Sequence, residues 1–242
     1  MELVERASPN FDDRSGPVDM LLMHYTGMES GAGALERLCD PAARVSAHYL
    51  VDEAGCVTRM VAEDKRAWHA GVASWAGRSD INGCSIGIEV VNPGHELGYP
   101  DFPQAQMAAV EALSLEILGR HAIPGPRVLA HSDVAPMRKA DPGEKFDWAG
   151  LGLRGIGHFV EPAEIVEGPA LKKGDRGETV SELQYRLADY GYGLEVMGIY
   201  DEVTEAVVTA FQRHFRPARV DGVADVSTVL TLQQLRDGLA VS

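Results

Sequence analysis

Apolar and polar positions change their spacing several times along the chain, and each change marks an element. Residues 18–24, VDMLLMH, form a short apolar run closed by a histidine, the pattern of a buried strand that delivers a polar side chain at its tip. HYLVDEAGCVTRMV, 48–61, reads as strand, Asp-Glu-Ala-Gly turn and strand, hence an adjacent antiparallel pair. In CSIGIEVVN, 84–92, the alternation is clean: Ile86, Ile88 and Val90 share one face, Gly87 and Glu89 the other. FPQAQMAAVEALSLEILGRHAIPGP, 102–126, has Pro103 at a first turn, apolar residues at 107, 110, 113, 117 and 118, and a Pro-Gly-Pro stop. This predicts an amphipathic helix. RVLAHS, 127–132, predicts another strand ending on a histidine.

From about residue 161 the pattern dissolves into EPAEIVEGPALKKGDRGE, a mixture of Pro, Gly and charge with weak periodicity. Helical spacing then returns. Thr179 and Glu182 stand at capping-box separation, and Val180, Leu183, Leu187 and Tyr190 line one face. A second helix follows Asp201, with Val203, Ala206, Val207, Ala210 and Phe211 on one stripe, and a third follows Asp225. The expected organisation is a first domain over 1–160, a linker over 161–170, and a small three-helix domain over 171–242. The helical part contains no His/Asp cluster, which assigns chemistry to the first domain.

Charge narrows the partners. With 36 acidic and 22 basic residues the formal net charge is −14, and no basic stripe or arm offsets it, so nucleic acid is excluded as an expected partner. No stretch approaches the ~18 apolar residues of a membrane span, and the start lacks a basic segment followed by an apolar run. The expected location is therefore cytoplasmic, with a periplasmic protein as the alternative, and no membrane partner is expected. Cys39, Cys56 and Cys84 are odd in number and widely spaced, and are expected to be small buried fillers, not disulfide or zinc ligands.

The segment HSDVAPMRKADPG, 131–143, holds a histidine and an aspartate in a stretch too punctuated by Pro and Gly for one helix. A hydrolytic zinc site needs about three protein ligands and an open position. His24, His131 and Asp141 are candidates, from two strand ends and a loop that Pro142 and Gly143 hold in a turn. Spacing alone makes this a weak signal, since eight histidines generate such triples by chance.

Five motifs together carry more. LLMHYTG, VSAHYLVDEAG, RAWHAG, WAGRSDINGCSIGIEVVN and VLAHSDVAPMRKADPGEKFDW occur in this order over roughly residues 18–150, and the chain thereby resembles the type 2 N-acetylmuramoyl-L-alanine amidases. The resemblance implies an α/β (α+β) fold, a mixed β-sheet flanked by helices, with Zn2+ bound in a groove at the strand ends. It implies His24, His131 and Asp141 as metal ligands, and Glu89 and Lys139 as the catalytic pair. Glu89, beside the bare face of Gly87, suits proton transfer, and Lys139 suits support of an oxyanion. His48 and His69 fall on motif positions that do not bind the metal; His48 is expected to be packed or hydrogen-bonded within a strand. Trp68 and His69 are expected in a pocket wall. Arg78 and Asn82 fall in the stretch that resembles the family's substrate loop, where an arginine would capture a carboxylate. The C-terminal motifs VSELQYRLADYGY, GIYDEVTEAVVTAFQ and VDGVADVSTVLTL resemble the peptidoglycan-binding type 1 domain over about 171–236.

The function these resemblances imply is hydrolysis of the amide between N-acetylmuramic acid and L-alanine of the stem peptide. Peptidoglycan fragments (muropeptides) are the implied partners. Expected cytoplasmic location implies recycled 1,6-anhydro-muropeptides as substrate. The alternatives are a secreted or periplasmic amidase acting on intact peptidoglycan, a zinc endopeptidase cutting within the stem peptide, and a muropeptide-binding protein without catalysis.

Overall fold

A computed structural model describes residues 3–239; positions 1–2 and 240–242, the outer ends of the two expected domains, lie outside the described residues. The strands are β1 (Leu3–Glu5), β2 (Phe11–Asp13), β3 (Met20–Tyr25), β4 (Tyr49–Val51), β5 (Val57–Arg59), β6 (Lys65–Ala67), β7 (Ser85–Val90) and β8 (Val128–Ala130). The helices are α1 (Gly31–Cys39), α2 (Ile81–Cys84), α3 (Gln104–Arg120), α4 (His131–Val134), α5 (Trp148–Leu153), α6 (Glu178–Tyr190), α7 (Glu202–Phe215) and α8 (Val226–Leu239). Six strands form a mixed sheet in the order β1-β5-β4-β7-β3-β8, and β2 pairs with β6 in a separate antiparallel ribbon. β4, β7, β3 and β8 run parallel to one another, while β4 and β5 are antiparallel, as their sequence predicts. The fold is thus a mixed α/β sheet flanked by helices, followed by a helical C-terminal region.

Strand alternation decides what each face of the sheet meets. Leu21 and Met23 of β3 and Ile86, Ile88 and Val90 of β7 share a core with Val110, Leu113 and Ile117 of α3. The buried face of α3 is less apolar than its sequence suggests. Gln106 and Ser114 are fully buried, whereas Met107 and Leu118 only pack at the edge. Gln106 is needed there because its Nε2 donates to the carbonyls of Val51 (3.2 Å) and Val91 (2.8 Å), which lie at the ends of neighbouring strands.

The other residues of β3, Met20 and Leu22, enter a second core that is continuous with the C-terminal helices, including Leu187, Phe211 and Leu232. Val180, Leu183, Leu187 and Tyr190 line the buried face of α6 as their spacing predicts. Its start differs from expectation: Gly177 is the N-cap at φ 118 and no side chain caps the helix, so Thr179 already lies inside the first turn. Glu182 instead pairs with Arg186 one turn on, at 2.6 Å. Asp201 and Asp225 do cap their helices, accepting from the backbone of Thr204 and Thr228 (2.9 and 2.8 Å).

Two smaller expectations are also corrected. β8 stops at Ala130 and His131 opens the short helical turn α4, because Asp133 Oδ2 accepts from the Ala130 N–H (2.8 Å) and draws the chain out of the strand. Of the three cysteines only Cys84 is buried; Cys39 and Cys56 are partly exposed. Among the described residues no helix is long and apolar enough to cross a membrane.

Candidate functional site

Parallel register puts the chemistry on one edge of the sheet. His24 stands opposite Glu89 in the β3–β7 ladder, with Leu22 opposite Gly87 and Met20 opposite Ser85, so these side chains share a face. In the β3–β8 ladder Met23 pairs with Ala130, and the next rung would set His131 beside His24. The carboxyl ends of three neighbouring strands therefore deliver His24, Glu89 and His131 together. Asp141 is returned to them by the loop after α4, held by the hydrogen bond from Ser132 N to the Asp141 carbonyl (3.0 Å). Tyr99 Oη, donating to the Pro142 carbonyl (2.8 Å), braces the same turn. Gly143 follows at φ +84, and a Cβ there would lie 2.2 Å from Tyr99 Oη, so the turn admits only glycine.

Nδ1 of His24 lies 2.9 Å from Nδ1 of His131 and 3.2 Å from Oδ2 of Asp141, and His131 Nδ1 is 3.0 Å from the same oxygen. All three residues are buried, and among the described residues theirs is the group of three His, Cys, Asp or Glu side chains whose atoms converge tightly enough to hold a metal ion. The surrounding hydrogen bonds determine where the imidazole protons sit. Ser85 Oγ donates to the Ile81 carbonyl (2.6 Å), so it accepts from His69 Nε2 (3.3 Å). His69 Nδ1 is then an acceptor and takes the proton of His24 Nε2 (3.0 Å). His131 Nε2 donates to the Ala70 carbonyl (3.1 Å). Both Nδ1 atoms are left as bare lone pairs facing a carboxylate oxygen. Three acceptors at contact distance with no proton between them call for a cation, and an N,N,O set of this kind fits one that favours imidazole and carboxylate.

Burial and mutual repulsion favour the neutral form of His24 and His69. His24 is pushed down to about 4, first by burial and then by the neighbouring His131. His69 is held well below its ordinary value by burial and by His24. Burial acts to raise Asp141, but His131 and His24 outweigh it and keep the carboxyl strongly acidic. Glu89 is displaced in the opposite direction: burial, then the charge of Asp141, push its carboxyl well above the ordinary range, with Lys139 opposing. Its Oε2 is buried and has no hydrogen-bond partner. A carboxyl so placed is suited to exchange protons with a bound molecule.

These groups form the floor of a cavity of about 510 Å³, whose lining includes Glu89, Lys139, Tyr25 and Trp68. Trp68 and His69 both line it. Trp68 is fixed by Nε1 donating to Asp12 Oδ2 (2.7 Å) in the β2–β6 ribbon. His69 packs over Gly87, where a Cβ would lie 2.6 Å from its ring. Arg78 and Asn82 lie outside this cavity. The backbone of Arg78 is folded onto Trp75 in a tight turn, and its guanidinium reaches Asp19 at 3.3 Å. Asn82 is buried, and its Oδ1 accepts from the backbone of His69 (3.1 Å) and Ala70 (2.8 Å). It thus holds the segment whose side chain and carbonyl orient His24 and His131. Sequence reasoning missed Ser85, although it stands two residues before Gly87 on the face that carries Glu89. It also missed Asp133, whose role depends on residues 59 and 81 positions away.

His48, fully buried, completes the histidine cluster but makes no hydrogen bond to His24, His131 or Asp141. Its Nδ1 accepts from the backbone of Gly87 (3.0 Å) and Nε2 lies 3.1 Å from the Lys65 carbonyl. Burial pushes it from 6.5 down to about 4. The unfolded chain binds a proton near 6.5 that the folded chain refuses until about 4, so stability falls as pH drops through that window. The loss expected from this group is roughly 3 kcal/mol. His48→Asn keeps an acceptor for Gly87 and removes the titration; urea unfolding from pH 7 to 4 should show a shallower decline, and an unchanged slope would refute the assignment.

Two known families match separate parts of the chain. Residues 14–144 match the family described as N-acetylmuramoyl-L-alanine amidase, and residues 176–232 match the putative peptidoglycan binding domain. The chain is 33% identical over 223 residues to N-acetylmuramoyl-L-alanine amidase AmiD of Escherichia coli, covering 87% of this chain and 79% of that protein. It is 34% identical over 161 residues to 1,6-anhydro-N-acetylmuramyl-L-alanine amidase AmpD of Haemophilus influenzae, covering 58% and 85% respectively. Among solved structures, AmiD from E. coli in complex with the substrate anhydro-N-acetylmuramic acid-L-Ala-D-gamma-Glu-L-Lys superposes with a TM-score of 0.79 at 31% identity, covering 96% of this chain and 91% of that one. AmpDh3 from Pseudomonas aeruginosa in complex with anhydromuramic pentapeptide gives 0.75 at 30% identity, covering 97% and 96%.

Proposed function

Since this chain belongs to the N-acetylmuramoyl-L-alanine amidase family, we propose that it is a zinc-dependent amidase in which His24, His131 and Asp141 hold the metal and Glu89 and Lys139 are the catalytic residues. The bond cut is the amide between the lactyl group of 1,6-anhydro-N-acetylmuramic acid and L-alanine of the stem peptide. The observation that carries this reading is the convergence of two unprotonated Nδ1 atoms and one carboxylate oxygen at the floor of a cavity that also exposes Glu89 and Lys139.

A zinc ion bound there supplies a Lewis acid for the scissile carbonyl and makes a water molecule acidic near neutral pH. Glu89 accepts the proton of the attacking water. Its buried and otherwise unpartnered Oε2 has no competing donor; the charge of a bound cation would draw the carboxyl toward its ionised form, and its raised proton affinity suits it to hold the proton once taken. The same proton is delivered to the leaving nitrogen of L-alanine, so the products are a free lactyl carboxylate and a free amine. Lys139 contributes a positive charge at the cavity wall, suited to the oxyanion of the tetrahedral state. Trp68 and His69 supply wall surface for the sugar and peptide. We further propose that residues 1–160 form the amidase domain and 171–242 the small helical domain, joined by 161–170.

The biological role proposed is recycling of soluble anhydro-muropeptides in the cytoplasm, and two solved relatives in complex with anhydro-muropeptides support that substrate class. Purified protein is expected to release stem peptide from anhydro-muropeptides faster than from intact sacculi. Cleavage confined to sacculi, or the native protein fractionating outside the cytoplasm, would overturn the recycling role.

A further inference from the structure

The C-terminal helices are joined to the site by a buried polar contact that neither domain makes alone. Asp133, with no exposed surface, is the third residue of α4, the turn that His131 begins. Its Oδ2 accepts from the Ala130 N–H at the end of β8 (2.8 Å) and from His214 Nδ1 on α7 (2.6 Å); its Oδ1 accepts from Tyr192 Oη, just beyond α6 (2.7 Å). A buried carboxylate is costly without such partners, so Asp133 draws the C-terminal region onto α4 as firmly as it caps the turn.

The donor is itself fixed. His214 is buried between Trp148 and Phe215, each ring 3.8 Å away centroid to centroid. The opposite side of α4 is tied as well, since the Val134 carbonyl accepts from Ser74 N (2.8 Å). Position 213, next along α7, makes a second link: Arg213 lies 3.6 Å from Glu144, which lies 3.1 Å from His95, and His95 contacts the cavity residue Tyr25 at 3.0 Å. The end of α7 therefore grips the ligand-bearing turn and braces one cavity wall.

We propose that the C-terminal helical region acts in cis as a buttress for the metal site, with Asp133, His214 and Tyr192 as positioning residues that fix the approach of His131 toward His24 and Asp141. The inference rests on the metal-site reading given above and goes beyond it by giving the small helical region a part in the site, separate from any contact with the cell wall.

The test uses full-length protein. His214→Phe keeps the aromatic stack and removes the Nδ1 donor; His214→Asn restores a donor near that position; Tyr192→Phe removes the other hydrogen bond. Affinity for Co2+ is read from its visible absorption under competition by a chelator, alongside the melting temperature. His214→Phe and Tyr192→Phe are expected to weaken metal binding measurably, by up to the roughly 10–100-fold that follows loss of a ligand's direct partner, with His214→Asn recovering most of it. Parental affinity in every variant, even with lowered melting temperatures, would overturn the proposal by reducing the contact to interdomain adhesion. If the parent protein binds no metal, the zinc reading fails, and the buttress is judged by amide hydrogen exchange over residues 130–141 of the metal-free chain. Faster exchange in His214→Phe supports it and unchanged exchange overturns it. Should His214→Phe not fold, Tyr192→Phe gives the same two readouts.

Discussion

Replacing Asp141 by alanine is expected to abolish stoichiometric zinc binding, whereas Lys139→Ala should leave it intact and lose turnover. The two residues are two positions apart on one loop and both line the cavity, so a purely structural disturbance of the loop would affect both alike. Their chemistry separates them. Asp141 Oδ2 is the anionic member of the convergent set, within 3.2 Å of both bare imidazole nitrogens. Without it two neutral nitrogens remain, too few for a stable protein zinc site. The expected drop in affinity exceeds the roughly 10–100-fold typical of losing an outer partner. On the proposed reading Lys139 carries a cation, which cannot ligate a metal and would act on charge developing in the reaction. Metal content after dialysis, measured with amine release from a muramyl-peptide, distinguishes them. Equal metal loss in both variants would mean that Lys139 supports the loop and not the reaction.

The second large effect is at Glu89. Glu89→Gln preserves size and polarity but removes the capacity to take and return a proton. Turnover is expected to fall by about 10²–10⁴, the usual contribution of a positioned acid–base group, with zinc content unchanged. The metal-free protein should also respond in its stability. Because burial raises the Glu89 carboxyl well above its ordinary value of 4.5, the folded chain holds a proton that the unfolded chain releases. The contribution of this group is therefore fully present at low pH and is lost as pH rises through the raised value. Glu89→Gln should remove that alkaline-side loss. Turnover within a few-fold of the parent would exclude Glu89 as the proton carrier.

Much of the architecture was legible because strand and helix leave different periods. β7 is the clearest case: its alternation separates the core residues Ile86, Ile88 and Val90 from Gly87 and Glu89, and the same alternation reaches Ser85, whose hydroxyl fixes the proton on His69. The apolar run of β3 likewise predicts a strand, and the structure adds that its register with β7 sets His24 against Glu89. Register between distant strands cannot be read from local pattern, and this is why spacing alone gave His24, His131 and Asp141 only a weak signal until five motifs were taken together. α6 shows the opposite limit. Its apolar stripe was readable, but its start was not, since Gly177 caps it through backbone geometry and leaves Thr179 and Glu182 with no capping role.

Arg78 marks another boundary. An arginine in a loop resembling a substrate loop looks suited to carboxylates, yet it lies outside the cavity lining and reaches Asp19 at 3.3 Å. Asp133 is invisible for the same kind of reason. Its sequence neighbours carry no sign of its buried partners Tyr192 and His214, which come from a part of the chain with its own separate helical pattern. Polar residues that join two such parts have no local periodicity to announce them.

The most direct test of the central claim is mass spectrometry of the products formed from an anhydro-N-acetylmuramyl tripeptide, with the protein loaded with zinc or stripped of metal. The expected result is free anhydro-N-acetylmuramic acid and an intact tripeptide with a free alanine amine, formed by the zinc-loaded protein, lost after stripping and restored by zinc. Cleavage between amino acids, binding without any cleavage, or the same products at the same rate after metal removal would contradict it.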